Sequence, residues 1–215
     1  GWKVEDIAQP DASAIAIRWF EAQLSKTIEE INDSFSKYRI SEALMEAYKL
    51  FWDEFSSWYL ELVKPGYEQP IDRQTYQATI GFFDALLRLL HPFMPFITEE
   101  LWQALVSRKD GESIMLAPMP QVMAISEKQR AEAYLGAFGV CKEIISNIRT
   151  VRLQKNIPNK ELLELEVLGD HDAHFNDAII KMGNLSEIRY VSEKTPGAAS
   201  CLIRTTEYAI PLGTN

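Results

Sequence analysis

Cysteine is nearly missing from this chain, and the two that occur, Cys141 and Cys201, stand singly and far apart. That excludes a disulfide framework and fits reduced thiols in a cytosolic, cytoplasmic protein. No uninterrupted apolar run approaches the roughly 18 residues a bilayer-spanning helix needs, so no membrane partner is expected. Positive charge is scarce too: 22 Lys and Arg stand against 31 Asp and Glu, a net charge of -9. Averaged over the chain, that argues against a polyanionic partner, because phosphate binding draws on clustered Lys and Arg. No nucleophile elbow, phosphate loop or serine-histidine-aspartate pattern occurs, and the expectation is no catalytic residue. Gly1-Trp2-Lys3-Val4 has neither an initiator Met nor a basic-then-apolar leader, so the chain is expected to be a piece of something longer.

What is there is globular material. With 215 residues, 47% hydrophobic and 25% charged, the chain can bury a sizeable core and is long for one domain but short for two. Charge is also uneven. Between residues 142 and 160, Lys142, Arg149, Arg152, Lys155 and Lys160 are opposed by Glu143 alone, so a basic patch can sit on an acidic body.

The first half reads as helices. Asp11 or Ser13 caps a helix over residues 12–38, with Ile17, Phe20, Leu24, Ile28, Ile31 and Phe35 on one face. A second helix starts near Ser41-Glu42, carries an aromatic stripe of Leu44, Tyr48, Phe51, Trp52, Phe55, Trp58, Tyr59 and Leu62, and ends at Lys64-Pro65-Gly66. A third, capped by Asp72, runs to Leu90. His91-Pro92 stops it, and Pro95 opens a fourth helix that reaches about Val106. After a turn-rich exit and an extended connection over residues 114–120, a fifth helix starts at Ser126 or Glu127 and stops before Pro158. Helices joined this closely read as an antiparallel bundle. Beyond Pro158 the pattern changes to a strand over 162–168, a short helix over 173–182 ended by Gly183-Asn184, and strands over 188–191 and 200–205. The fold expected is therefore mainly α: a bundle over 1–157 followed by a small α+β subdomain over 158–215.

Several residues could carry chemistry, each with a plainer reading beside it. Trp52, Phe55, Trp58 and Tyr59 could stack unpaired bases or simply form a core stripe. Trp58 and Tyr59 are adjacent and cannot face the same way. Asp53, Glu54 and Glu61 could accept hydrogen bonds from base edges, or be a solvated face. Lys142, Arg149, Arg152 and Lys155 could contact a phosphate backbone, while Arg152 and Lys155 would equally complement the negative end of their own helix. Asp170-His171-Asp172-Ala173-His174 holds metal-ligand residue types, but the spacing matches no closed zinc set, so no metal site is expected. His91, between an apolar helix end and Pro92, reads as a satisfied structural histidine.

Two motifs carry a resemblance. LLHPFMPFITEELW at 89–102 and WDEFSSWYLELVKP at 52–65, with Arg18-Trp19 and KYRISEA at 37–43, resemble the valyl branch of the class Ia aminoacyl-tRNA synthetases, in its helical anticodon-binding domain. The likeness covers residues 12–105 most strongly and continues through IISNIRTVRLQKNIP at 144–158 to the closing Tyr208-Ala209-Ile210-Pro211-Leu212. Phe96 sides with the valyl rather than the leucyl or isoleucyl branch. Ser56-Ser57 departs from the family, which often has Cys-Asp there, so any contact made by that Asp in relatives is missing here.

The resemblance implies an anticodon-binding fragment whose parent enzyme activates valine with ATP, transfers it to valine tRNA and clears mischarged threonine at a separate editing site. The HIGH and KMSKS catalytic signatures of the class do not occur, so the fragment is expected to need no cofactor itself, to bind valine tRNA as a monomer and to catalyse nothing. The family's C-terminal coiled coil is expected to be cut off, since nothing after Leu212 shows a heptad repeat. Arg39, Glu54, Trp58, Glu61 and Lys64 are the residues expected at the anticodon loop, and Arg149, Arg152 and Lys155 those expected at the tRNA backbone. The competing expectation is a helical protein-protein interaction module with an aromatic groove.

Overall fold

The computed structural model describes residues 3–122 and 127–212, which form two compact units, Gly1–Glu132 and Ala133–Asn215. The shift in sequence pattern puts the boundary at 157/158; the contacts put it one long helix earlier. The helix responsible, α6 (Lys128–Gln154), buries Phe138, Cys141, Ile144, Ile145 and Ile148, and Phe138 meets Phe175 at a ring separation of 5.1 Å. An amphipathic stripe shows that a helix is buried on one side but not what it is buried against. Glu127 stands at the start of this helix, whereas Ser126 lies outside the described residues.

In the first unit, β1 (Val4–Glu5) and β2 (Ile71–Asp72) form a short parallel pair. Helix α1 spans Asp11–Ser36, two residues short of the expected end, because Tyr38 turns left-handed at φ 58° and the Arg39 amide closes back on the Ser34 carbonyl. Its cap is neither Asp11 nor Ser13. Pro10, extended at φ −62° and ψ 141°, lends its carbonyl to the Ser13 and Ala14 amides, and Asp11 sits in the first turn, where a carboxylate faces the positive end of the helix. Trp19, Phe20, Ile28 and Ile31 are buried, while Ile17, Leu24 and Phe35 are only half-buried.

The second helix is continuous, as expected, but not uniform. It begins as α2 (Ile40–Lys49), widens into a π-helical stretch over Leu50–Tyr59, and resumes as α3 (Leu60–Val63). In the wide stretch amides reach carbonyls five residues back, as Leu60 does to Phe55. Its buried positions run Ala43, Ala47, Leu50, Phe55, Tyr59, Leu62 and Val63, stepping by five from Leu50 to Phe55 where an ordinary helix would step by three or four. The widening thus turns Phe55 and Tyr59 inward. There they meet Phe20 of α1 and Phe82 of α4 (Arg73–Leu90): Phe20 lies 4.8 Å from Phe82, 5.0 Å from Tyr59 and 5.4 Å from Phe55, centroid to centroid. The Thr79 hydroxyl donates to the Thr75 carbonyl at 2.8 Å, so the Tyr59 hydroxyl is the donor in its 2.9 Å bond to Thr79. Burial raises the Tyr59 pKa and keeps the phenol protonated.

Asp72 caps α4 as expected, accepting from the Thr75 amide at 2.8 Å. The proline break then leads into α5 (Pro95–Leu105). The Thr98 hydroxyl donates to the Met94 carbonyl, which leaves His91 Nδ1 as the donor to Thr98 Oγ1 at 2.7 Å, so His91 bridges the break. Asp84 fixes the α4–α5 angle by accepting from Trp102 Nε1 at 2.7 Å and pairing with Arg88 and Arg108. The Arg108 guanidinium covers the Trp102 ring. A 3-10 turn at Ile114–Leu116 follows, tied to α5 by Glu99, whose carboxyl is held below its usual range by hydrogen bonds from Ser113 and Gln103.

The second unit adds a four-stranded sheet to α6, ordered β4-β3-β6-β5. Strand β3 (Leu163–Leu168) pairs parallel with β4 (Leu185–Tyr190) through α7 (Asn176–Gly183). On its other side β3 runs antiparallel to β6 (Thr206–Ile210), which forms a hairpin with β5 (Ala199–Ile203). A Cβ on Gly183 would lie 3.0 Å from Ile148, so glycine lets α7 approach α6, and Asn184 at φ 51° closes α7 in a left-handed cap. On the opposite sheet face Glu166, 1% exposed, accepts from the Thr195 amide at 2.9 Å and the Thr195 hydroxyl at 2.6 Å, with Arg189 beside it.

Replacing Phe20 by Ala removes the ring on which three others pack; a loss of about 3–5 kcal/mol from the first unit is expected, read as a lower urea midpoint. Burial pushes the Glu166 carboxyl up, but Thr195 and Arg189 outweigh it and the net shift is downward. A carboxylate with a lowered folded pKa stabilises fully above its unfolded value, about 4.3, and that contribution is lost as pH falls through the folded pKa. The second unit is therefore expected to lose stability on acidification below about pH 4.3, and Glu166→Gln to flatten that loss in pH-dependent thermal melts.

Candidate nucleic-acid interface

The long helix from α2 to α3 presents one face to the core and the other to solvent. Because Ala43 and Ala47 pack inward and the wide stretch turns Phe55 and Tyr59 in, the outward line is Met45, Tyr48, Trp52, Asp53, Ser57 and Glu61. Tyr48 and Trp52 are 51% and 56% exposed, and their rings are parallel to within 9° at a centroid separation of 6.5 Å. Two serine hydroxyls reinforce the wide turns from outside the backbone ladder: Ser56 donates to the Phe51 carbonyl and Ser57 to the Trp52 carbonyl, both at 2.9 Å.

The five residues expected at the anticodon loop do not converge on one point. Arg39 stands just before α2, exposed and paired with Glu42 at 3.4 Å. Glu61 and Lys64 form an exposed pair at 3.1 Å near the other end, roughly 30 Å away by helical rise. Glu54 and Trp58 lie between, both half-buried on the flank. Tyr48 and Trp52, exposed here, belong to the aromatic stripe that also carries the buried Phe55 and Tyr59, so the core reading holds for only part of it. The usable signal was Ala43 and Ala47: two helices pack closely through small residues, and those alanines, not Leu44 and Tyr48, mark the inner side.

The basic strip on α6 divides. Arg149 and Lys155 are exposed, as is Lys160 beyond the helix end, whereas Lys142 is half-buried with its ammonium 5.4 Å from the Phe138 ring. Arg152 is different. It is 5% exposed and donates to the carbonyls of Pro158 at 3.1 Å, Gly183 at 3.1 Å and Asn184 at 2.9 Å. Those last two carbonyls close the C-terminal end of α7, so Arg152 complements that helix's negative end from inside the unit rather than a phosphate outside it. The expectation of Arg152 at an RNA backbone is corrected: the side chain is buried and both of its terminal nitrogens donate inside the unit.

In the acidic loop of the second unit, His171 Nδ1 meets Tyr208 at 2.9 Å and Nε2 meets Asn176 Oδ1 at 2.6 Å, while Asp172 accepts from the His174 amide at 3.0 Å. Asn176 donates its own amide to Tyr190, so Oδ1 is an acceptor and His171 carries a proton on Nε2. Cys141 is buried, with its thiol pKa pushed up to about 12 by desolvation, which makes it unreactive.

Arg152→Ala is expected to destabilise the second unit by about 3 kcal/mol, because three carbonyls lose a charged donor, whereas Arg149→Ala is expected to change stability by no more than about 0.5 kcal/mol. Thermal melts of the two variants compare them directly.

Comparison with known proteins shows which family the chain is similar to. The chain is 67% identical over 214 residues to the valine–tRNA ligase of Parabacteroides distasonis, 57% to that of Phocaeicola vulgatus and 58% to that of Porphyromonas gingivalis, in each case over 99% of this chain and 24% of the relative. It thus spans about a quarter of the length of the curated relatives it matches. A family model described as the anticodon-binding domain of tRNA ligase matches residues 17–167, which takes in most of α1, the helices from α2 to α6 and most of β3. On that match, over well more than half of its length, the chain belongs to the anticodon-binding domain family of the tRNA ligases.

Proposed function

We propose that this chain is the anticodon-binding part of a valine–tRNA ligase and that it holds the anticodon stem-loop of valine tRNA. The observation that carries the reading is the family match across residues 17–167, joined to identity with valine–tRNA ligases along nearly the whole chain. Unstacked loop bases offer their Watson-Crick edges, and proteins gain RNA sequence specificity mostly there. The solvent face of the α2–α3 helix supplies what that needs. Glu54 and Glu61 accept from exocyclic amines such as cytosine N4, Trp58 offers a ring edge on the flank, and Arg39 and Lys64 supply cations at the two ends. Arg149 and Lys155 take phosphates.

In this reading residues 1–157 serve as the anticodon-binding bundle and 158–215 as a linking subdomain of a cytoplasmic enzyme, and the 215-residue chain itself is a monomer. Activation of valine with ATP, its transfer to tRNA and the clearing of mischarged threonine belong to the parent protein. The competing reading, a helical protein-protein module, has no comparable support.

Titration with valine tRNA, and with the same tRNA carrying altered anticodon bases, tests the proposal. Tighter binding of the unaltered tRNA at moderate salt is the expected result; equal affinity would remove anticodon reading. Replacing both Arg149 and Lys155 by Ala is expected to weaken both tRNAs alike and to reduce the slope of log affinity against log salt by about 1 per lost phosphate contact. An unchanged slope would remove the phosphate assignment.

A further inference from the structure

The most exposed aromatic surface of the α2–α3 helix is one that folding does not explain. The core positions are filled by Ala43, Ala47, Leu50, Phe55 and Tyr59, yet Tyr48 and Trp52 hold two large rings in water with their planes within 9° of each other. Exposed apolar area of this size brings no stability. The mounting is also firmer than an ordinary surface helix provides, since the Trp52 carbonyl takes the Ser57 hydroxyl and the neighbouring Phe51 carbonyl takes the Ser56 hydroxyl. Exposed Lys49 and Asp53 follow the two rings directly in sequence, each one position further along the helix.

We propose that Tyr48 and Trp52 form the platform on which an unpaired base of the anticodon loop stacks, with Lys49 taking the adjoining phosphate and Asp53 the amine edge of the base. This rests on the RNA-binding reading above and deepens it by naming the surface. A flat ring stacks on any base, so the platform contributes affinity that tolerates sequence, while discrimination comes from the carboxylate beside it. A partner protein would instead need a continuous apolar groove, and charged residues flank this strip on the same face.

The wide turns and the two inner alanines explain why the platform sits where it does. In an unwidened helix, Leu50 would be followed inward by Glu54 and Trp58, leaving Phe55 and Tyr59 outside the core. Five-residue hydrogen bonding sends Phe55 and Tyr59 in, whereas Tyr48 and Trp52 face out because Ala43 and Ala47 set the inner side of the helix.

The test measures affinity of the 215-residue chain and of Trp52→Ala, Trp52→Phe and Tyr48→Ala for two RNAs: valine tRNA, and valine tRNA whose anticodon loop is replaced by a short closed tetraloop. The parent chain is expected to prefer intact tRNA. Trp52→Ala is expected to lower affinity for intact tRNA about tenfold, with thermal midpoint and salt slope unchanged because the side chain is exposed and uncharged. Trp52→Phe should recover most of the loss, Tyr48→Ala should lose several-fold, and none of the three should alter binding of the loop-replaced tRNA. If the parent chain prefers intact tRNA but Trp52→Ala binds it equally well, the platform is overturned and anticodon reading stands. If the parent chain binds the two RNAs alike, the reading itself is overturned.

Discussion

The packing of Phe55 and Tyr59 against Phe20 and Phe82 is the constraint on which the first unit depends. Four rings with centroids between 4.8 and 5.4 Å from their neighbours fix where three helices meet, and aromatic pairs in tilted or edge-on geometry add stability beyond their buried area. Phe55 and Tyr59 fall at positions an ordinary helix starting from Ala43 and Ala47 could not turn inward. The backbone yields instead, and the helix widens over Leu50–Tyr59. The hydroxyls of Ser56 and Ser57 stabilise the widened form locally, and the chain of donors from Tyr59 through Thr79 to Thr75 anchors it to α4. Widened stretches of this kind occur frequently at functional sites, and here the distortion brings Phe55 and Tyr59 into the core while Ala43 and Ala47 leave Tyr48 and Trp52 at the surface.

Charge follows a similar division between inside and outside. The sequence concentrates cations between residues 142 and 160 on an otherwise acidic chain, which suggests a continuous phosphate-binding strip. Folding withdraws Arg152 into the second unit, where its planar fork suits three carbonyls at once, and leans Lys142 over the Phe138 ring. Arg149, Lys155 and Lys160 stay at the surface. The exposed cationic surface is therefore smaller than the sequence suggests, but it remains opposed by few acids, so local charge can favour RNA even at a net charge of -9.

Local signals made much of the fold legible. Asp72 followed by an amphipathic run marks the start of α4, Pro92 and Pro95 mark the break and the opening of α5, and alternation before Gly169 marks β3. What escaped was decided at a distance. Strand β6 has no local turn signal in front of it, because its hairpin turn uses Arg204 at φ 54° in place of an Asn-Gly pair. The β1–β2 pair joins segments more than sixty residues apart. The partner of α6 depends on which apolar surface meets its stripe. At the candidate site, the chemistry was legible as a cluster of aromatic and acidic residues on one helix, but the facing was not. A regular period of about 3.6 residues puts Tyr48 and Trp52 on one stripe with Phe55 and Tyr59 and leaves base stacking and core packing both open; the structure exposes the first two and buries the others.

If the widened helix turns its outer aromatic face to the anticodon loop, hydroxyl-radical footprinting read residue by residue with mass spectrometry will show it. The free chain should be oxidised rapidly at Tyr48 and Trp52 and slowly at Trp19 and Tyr59, and valine tRNA should protect Tyr48 and Trp52 while leaving the exposed Tyr67 and Phe96 reactive. Rapid oxidation of Tyr59 in the free chain, or unchanged reactivity of Tyr48 and Trp52 in a chain saturated with tRNA, would contradict it.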